Sequence, residues 1–520
     1  MAEGSRSSAE GQGQAWARWL MPSVADLIFV AVLAVLVFTP LSVRLLGDAG
    51  IGWHIRTGQQ ILATHSVPHS DPFSSSTAGQ RWFAWEWLYD VIVGELEAHL
   101  GLNGVVWFTA IVIATVFAGL FRLLMREGAS LVVSVLMTLL ALSASMIHFL
   151  ARPHVVSWLF TLAFFWVLDI SERNSLGGRV IRNPELMWSL PLLMLVWVNM
   201  HGGFLVGFVL IAIYWLGATW TRIRTRDTGI EQLFARIAAE KRSRSLALVG
   251  LISLAASLIN PYGWNLHLHI YSYLSDRFLI NHIQEFQSPD FHGLAQRCFA
   301  VLLLIVLAVL LACGRRLRMS EALTALFAVY TGLYAARNIP ISSILLVSLV
   351  APRIWPSVGA RGFLQRMQKV DSGLRGHLWP VLAIVLTFFI AGNPGTSKPL
   401  MDAHFDPKRM PVEAINDLQG RDLKGPILSP DYWGGYLIYR LYPRNQVVVD
   451  DRHDLYGPKF FKSYLKMVKV ERGWQEFLEQ HPASCLILPR DAALANVLFE
   501  STNWKAIYQD DVAAVFVPNR

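Results

Sequence analysis

This sequence predicts a polytopic α-helical membrane protein with a small outer α/β domain at its C-terminal end. Three observations carry that fold class. Of 520 residues, 54% are hydrophobic and only 16% charged, whereas soluble domains carry about a quarter charged residues. Eleven apolar runs fill the first three-quarters of the chain, most of them near the roughly 20 residues a membrane helix needs. From about Gly395 onward, charge rises and apolar runs shorten.

The segment 1–23 is Gly- and Ser-rich at its start and is expected to be a disordered cytoplasmic N-terminus. The runs 24–46, 104–125, 129–149, 152–170, 187–200, 203–222, 245–260, 297–313, 319–336, 339–355 and 377–394 give about 11 spans. The first run is long enough to cross, and no convincing small-residue cleavage site follows it, so no cleavable signal is expected. The 187–200 run is short and ends in Asn199-Met200-His201-Gly202-Gly203, which reads as a tight turn or a broken helix. Phe83–Leu100 is amphipathic and suits the membrane surface or a partial dip into it.

Basic residues set the orientation. Arg6 and Arg18 precede the first run; Arg122, Arg126, Arg173, Arg179, Arg182, the segment 221–244, Arg315, Arg316, Arg318 and the segment 353–376 fall on every second connection. By the positive-inside rule these lie in the cytoplasm. The loop 47–103, the segment 261–296 and the tail 395–520 then lie outside. The net charge of +8 is thereby explained by membrane topology, and no nucleic-acid partner is implied. The 19 tryptophans suit interfacial belts. Cys298, Cys313 and Cys485 are too widely spaced to suggest a disulfide framework or a thiolate metal site.

In the tail, Pro426–Ser429, Gln446–Asp450, Cys485–Leu488, Trp504–Gln509 and Val512–Val517 read as strands. Pro411–Leu418, Lys459–Val468 and Gly473–Gln480 read as helices.

Ionisable residues collect on the outer side. The first loop supplies Asp48, His54, Arg56, Asp71 and Glu86. Arg152 and His154 lie between the third and fourth runs, and His201 lies in the Gly-rich turn. Glu285 and Asp290 come from the second long outer segment, and Arg337 from the last outer turn. Polar groups at a membrane boundary are costly and tend to mark sites. Each also has a plain structural reading. Asp48 can cap the helix beginning near Gly50, and Asp71-Pro72 makes a good turn. Glu86 can sit on a solvated helix face, and His201-Gly202-Gly203 can be a tight turn. Arg152 and Arg337 oppose the positive-inside trend, so each suggests a phosphate-binding group or an ion-pair partner of one of these acids. His54, His65, His69 and His154 match no standard metal-ligand spacing. No cofactor is evident, and a divalent metal has no supporting motif.

The acid just after the first span, followed by a long outer loop, resembles the GT-C superfamily of membrane glycosyltransferases, which use polyprenyl-phosphate-linked sugars. The run Pro68, Asp71-Pro72, Trp85-Glu86-Trp87-Leu88 is similar to the loop of the glycosyltransferase-39-like and RgtA-like branch. The resemblance implies that Asp48 acts as base or orients the acceptor; Asp71 and Glu86, the other acids of this loop, are further candidate catalytic acids. From the outer polar residues themselves, His54, Arg56, Arg152, His154, His201, Glu285 and Arg337 are the substrate-binding candidates. In the tail, Ser429-Pro430-Asp431-Tyr432-Trp433-Gly434-Gly435-Tyr436, then Arg444 and Val449-Asp450-Asp451-Arg452, resembles the WWDYG region of oligosaccharyltransferase catalytic subunits and adds Asp431 and Tyr432. The residue order differs, so sequon binding is not carried over. Arg152-Pro153-His154 stands where that family has a metal-binding acidic pair.

The implied function is transfer of a sugar from a polyprenyl-phosphate-linked donor to an envelope acceptor, at the outer face of a bacterial inner membrane. The implied partners are that donor and membrane lipids. Trp53, Trp82, Trp85 and Trp87 then either stack on sugars or anchor at the interface. Two other readings stay open: a transporter of a lipid-linked precursor, and a non-catalytic GT-C-like assembly protein.

Overall fold

The computed structural model describes residues 19–177, 184–224, 230–312, 317–354, 362–374, 376–393, 399–421 and 423–519. Most of the expected disordered N-terminus lies outside these residues, as do Arg179, Arg182, Arg315, Arg316 and Cys313.

Each of the eleven apolar runs forms helix among the described residues, but not each gives a single helix long and apolar enough to cross. Among the described residues, Leu102–Arg126, Leu131–His148, His154–Arg173, Gly202–Arg224 and Leu294–Ala312 are long and apolar enough to cross. A sixth is reached if the pair Gln365–Gly373 and Leu378–Ala391, bent by 65°, counts as one. The expected eleven is therefore not reproduced, and the reason is length. The run 24–46 breaks after Phe38 into Val24–Phe38 and Leu41–Leu45. Met319–Tyr334 and Ile339–Ile354 each have 16 residues, about 24 Å of helix against about 30 Å of hydrocarbon. Ile339–Ile354 is buried along most of its length and is a core helix of the bundle. The run 245–260 is the end of a longer helix, Ile230–Ser257, which also carries Glu240, Lys241, Arg242 and Arg244. Leu304, Leu311 and Leu326 are exposed on the outside of the bundle, as lipid contact requires.

The first loop is ordered. It holds the helices Ile51–Thr64 and Trp87–Leu100, packed on each other. Between them lies an irregular stretch whose Ser70 and Arg81 form an antiparallel bridge.

The tail carries a four-stranded sheet in the order β1-β2-β4-β3, with β1 Ile427–Leu428, β2 Cys485–Pro489, β3 Trp504–Gln509 and β4 Ala513–Pro518. β1 and β2 are parallel, and the other pairs antiparallel. The expected strand Gln446–Asp450 does not join this sheet as a full strand. Val447 bridges Ile427 on one side and Ser74 of the first loop on the other. Its N–H donates to the Phe73 carbonyl at 3.0 Å. This segment is the seam between loop and tail.

The helix Asp431–Leu441 packs on Ile51–Thr64. A Cβ on Gly52 would lie 2.1 Å from the Gly435 carbonyl oxygen, and one on Gly435 would lie 2.3 Å from the Ala49 oxygen. Only glycine at both positions lets the two backbones meet.

Candidate functional site

Three chain segments converge on Arg152. The turn before the helix His154–Gly177 is tied to the end of the first apolar stretch, with the Ala151 N–H donating to the Leu45 carbonyl at 2.7 Å. This places Arg152 beside Asp48. Arg152 Nη1 donates to Asp48 Oδ1 at 3.0 Å and to Asp451 Oδ2 at 2.7 Å. Asp48 Oδ1 also accepts from the Gly50 N–H at 2.8 Å. Asp451 Oδ1 accepts from the Trp53 indole at 3.0 Å. A Cβ on Gly50 would lie 1.8 Å from Arg152 Nη1, so glycine there makes room for the guanidinium.

One nitrogen of Arg152 thus serves two carboxylates. Its Nε and Nη2 have no protein partner among the described residues, nor does Asp48 Oδ2. Burial pushes the Asp451 carboxyl up to about 6; Asp48 and Asp450 add to the rise, and Arg152 opposes it.

A second group lies behind this one. His54 is fully buried, with Nδ1 2.6 Å from Asp90 Oδ1. Its ring stacks on Trp53 at 3.6 Å between centroids. His54 Nε2 is 3.8 Å from Glu86 Oε2, and His201 Nε2 is 3.6 Å from Glu86 Oε1. His201 Nδ1 accepts from the Gly203 N–H at 3.0 Å and lies 2.7 Å from Ser157 Oγ. Burial pushes the Glu86 carboxyl up to about 8; Asp454 adds to this, and Arg152 and Arg337 oppose it. Glu86 does not sit on a solvated helix face.

The remaining candidates separate. Asp71 is buried at the loop–tail seam. Its oxygens accept from Phe73 N, Ser74 N, Thr77 Oγ1 and Arg452 Nη1. Arg56 points at the tail helix, where it donates to the Tyr439 carbonyl and to Gln59 Oε1. Arg337 pairs with Glu285 at 3.1 Å and covers the Phe286 ring. His154 Nε2 lies 2.9 Å from the His148 carbonyl. Asp431 pairs with His453 at 2.7 Å and accepts from Tyr464, while its neighbour Tyr432 is exposed. Trp82 is buried beneath the Arg452 guanidinium and is not open to a sugar. Among the described residues, no group of three His, Cys, Asp or Glu side chains is placed to hold a metal ion.

Sequence reasoning missed Asp451, Asp90 and the pair His269–Asp454, which meets at 3.0 Å across the second outer segment and the tail. Asp90 lies one helical turn beyond Glu86, a spacing that places the two on one face. Asp451 lies in the run Val449–Arg452 noted above, which gave it no role, and nothing local marks His269 and Asp454.

Two solved structures share this fold. The archaeal oligosaccharyltransferase AglB from Archaeoglobus fulgidus, in complex with an inhibitory peptide and a dolichol-phosphate, matches with TM-score 0.56 and 12% identity, over 89% of this chain and 69% of that one. ArnT from Cupriavidus metallidurans, bound to undecaprenyl phosphate, matches with TM-score 0.52 and 14% identity, over 94% of this chain and 97% of that one. No protein-family profile matches the sequence, and no curated protein sequence matches it significantly. At these identities the likeness is one of fold: the chain shares the architecture of these two structures.

Proposed function

We propose that this protein is a GT-C-type glycosyltransferase that moves a sugar from a polyprenyl-phosphate-linked donor to an envelope acceptor. It works at the outer face of a bacterial inner membrane, with the tail on that side. The observation that carries this reading is the arrangement of Arg152. Two carboxylates hold one of its nitrogens, which orients the guanidinium and leaves Nε and Nη2 to receive a lipid phosphate as a fork. The paired Asp48 keeps Oδ2 open.

In the transfer step, the acceptor O–H gives its proton to Asp48 Oδ2 as its oxygen attacks the anomeric carbon. The bond from that carbon to the phosphate oxygen breaks, and its electron pair leaves with the phosphate. Arg152 stabilises the charge that develops there. The acceptor enters opposite the leaving group, so configuration inverts. Asp71 and Arg56 are positioning residues at the loop–tail seam, and Arg337 with Glu285 forms a second charged pair on the same outer side.

The test uses the full chain in nanodiscs with a labelled polyprenyl-phosphate sugar. Asp48→Asn is expected to slow transfer by about 10²–10⁴-fold, the usual contribution of a positioned base, while leaving lipid-phosphate binding within a few-fold. Arg152→Gln is expected to weaken that binding at least roughly tenfold, as loss of a charge-assisted pair should. The ion pair itself favours one competing reading, a non-catalytic GT-C-like assembly protein. Absence of transfer by the folded wild type, with envelope assembly intact in Asp48→Asn, would decide for it, whereas transfer at the wild-type rate in Asp48→Asn would remove Asp48 as the base.

A further inference from the structure

The Asp90–His54–Glu86–His201 group takes no part in the transfer step above, yet it is built with a direction. Gly203 N–H donates to His201 Nδ1. The neutral ring therefore carries its proton on Nε2, facing Glu86 Oε1. His54 cannot turn freely, because Trp53 stacks on one face and Tyr89 meets it edge-on. Its Nδ1 faces Asp90 and its Nε2 faces Glu86. His54 Nε2 and Asp90 Oδ2 are both buried with no hydrogen-bond partner. Two charged carboxylates at the ends of one neutral imidazole would leave one of them without a donor from that ring. One proton shared between them satisfies both ends.

We propose that Glu86 and Asp90 share one proton through His54, and that the negative charge of the pair withdraws from Glu86 to Asp90 when a lipid phosphate docks on Arg152. This rests on the donor reading above. Before docking, and above about pH 8 where Glu86 has ionised, Asp90 is the acid, His54 carries its proton on Nε2, and Glu86 is the carboxylate. On docking, the Asp90 proton passes to His54 Nδ1 and the Nε2 proton passes to Glu86. No proton enters or leaves, and His54 is neutral before and after. Glu86 also faces His201 from the Gly-rich turn, Arg152 from its own turn, Asp454 from the tail and Arg337 from the last outer turn. Asp90 is fully buried, so the charge that repels a phosphate moves away from the cleft. The contacts to Glu86, 3.6 and 3.8 Å here, shorten when the proton moves. Asp90 is a positioning residue: it acts on the cleft through His54.

The test is an infrared difference measurement on the full chain in nanodiscs, above about pH 8 so that Glu86 starts as the carboxylate, before and after adding a polyprenyl phosphate, with proton uptake followed by a pH indicator. One protonated-carboxyl band is expected to be replaced by another, with no net proton uptake. Glu86→Gln and Asp90→Asn are each expected to abolish that exchange. Glu86→Gln is also expected to bind the lipid several-fold more tightly. In His54→Gln the wire is cut, so binding takes up a proton from water and weakens as pH rises. A merely structural role would leave the proton count unchanged in that variant. Uptake of a proton by the wild type, or an unchanged carboxyl region on binding, would overturn the proposal. Absence of lipid binding by a folded wild type would sink the donor reading instead. The unliganded protein would still decide whether the proton is shared. It should show one protonated carboxyl that the Glu86→Gln, Asp90→Asn double variant lacks, and a spectrum with none removed would end the idea.

Discussion

Arg452 joins the first loop to the tail by saturating its own donors. Nη1 donates to Asp71 at 2.8 Å, Nε and Nη2 grip Asp450 at 2.8 and 2.6 Å, and Nη2 reaches Ser74 Oγ at 2.9 Å. Its face lies over Trp82 at 4.7 Å, and the side chains of Arg452, Asp71 and Asp450 are 2%, 0% and 0% exposed. Ion pairs this deep give little net stability when intact, because desolvation offsets attraction. Removing one partner is another matter, since it strands the others. Arg452→Met leaves two buried carboxylates unpaired and is expected to destabilise the fold by about 3–5 kcal/mol, read as a fall in the denaturation midpoint of detergent-solubilised protein. A loss below about 1 kcal/mol, the level of an exposed pair, would mean that water reaches the cluster. Asp71, read from sequence as a candidate catalytic acid, has four donors and no open face, which suits it to hold the seam.

The two helices that meet at Gly52 and Gly435 set where Asp451 and Trp53 lie relative to Arg152. Gly435→Ala places a methyl group against the Ala49 carbonyl. The helices must part, at an overpacking cost of about 1–3 kcal/mol. Because Trp53 follows Gly52 directly and donates to Asp451, this variant is also expected to lose lipid-phosphate affinity. Unchanged affinity would show that the tail can shift without disturbing Arg152. At this scale the sequence was a good guide to what forms and a poor guide to how far it extends. Apolar runs are local signals, and every one of them is helical. Whether a helix is 15 residues or 20 depends on where a turn such as Thr39-Pro40 falls. Gln446–Asp450 has strand composition, but beyond Ile427 its neighbours are Phe73 and Ser74, more than 370 residues away, so that side of its pairing could not be read locally. The same holds for the site. Asp48 and Arg152 were legible because each breaks a local rule at a membrane boundary. Asp451 was not, because its role comes from a contact 299 residues distant.

Across the whole molecule, one continuous apolar cluster runs from Phe29 and Leu33 of the bundle, through Ile51 and Trp53 of the first loop, to Trp433, Tyr436 and Val515 of the tail. Loop, bundle and tail therefore share a core, and a proton bound anywhere in it is felt as global stability. Burial raises Glu86 from 4.5 to about 8 and Asp451 from 3.8 to about 6. Between the unfolded and folded values the native state holds more protons than the unfolded chain, so stability falls as pH rises. The contribution is full below the unfolded values. It is lost first as pH passes about 6, for Asp451, and then as it passes about 8, for Glu86. The melting midpoint of the wild type is therefore expected to drop from mildly acidic to mildly alkaline pH. Glu86→Gln, which cannot ionise, is expected to flatten the upper part of that fall, and Asp451→Asn the lower part. A midpoint that climbs through this window, or the same slope in Glu86→Gln as in wild type, would show that water hydrates Glu86 in the folded protein and that the wall behind Arg152 is open.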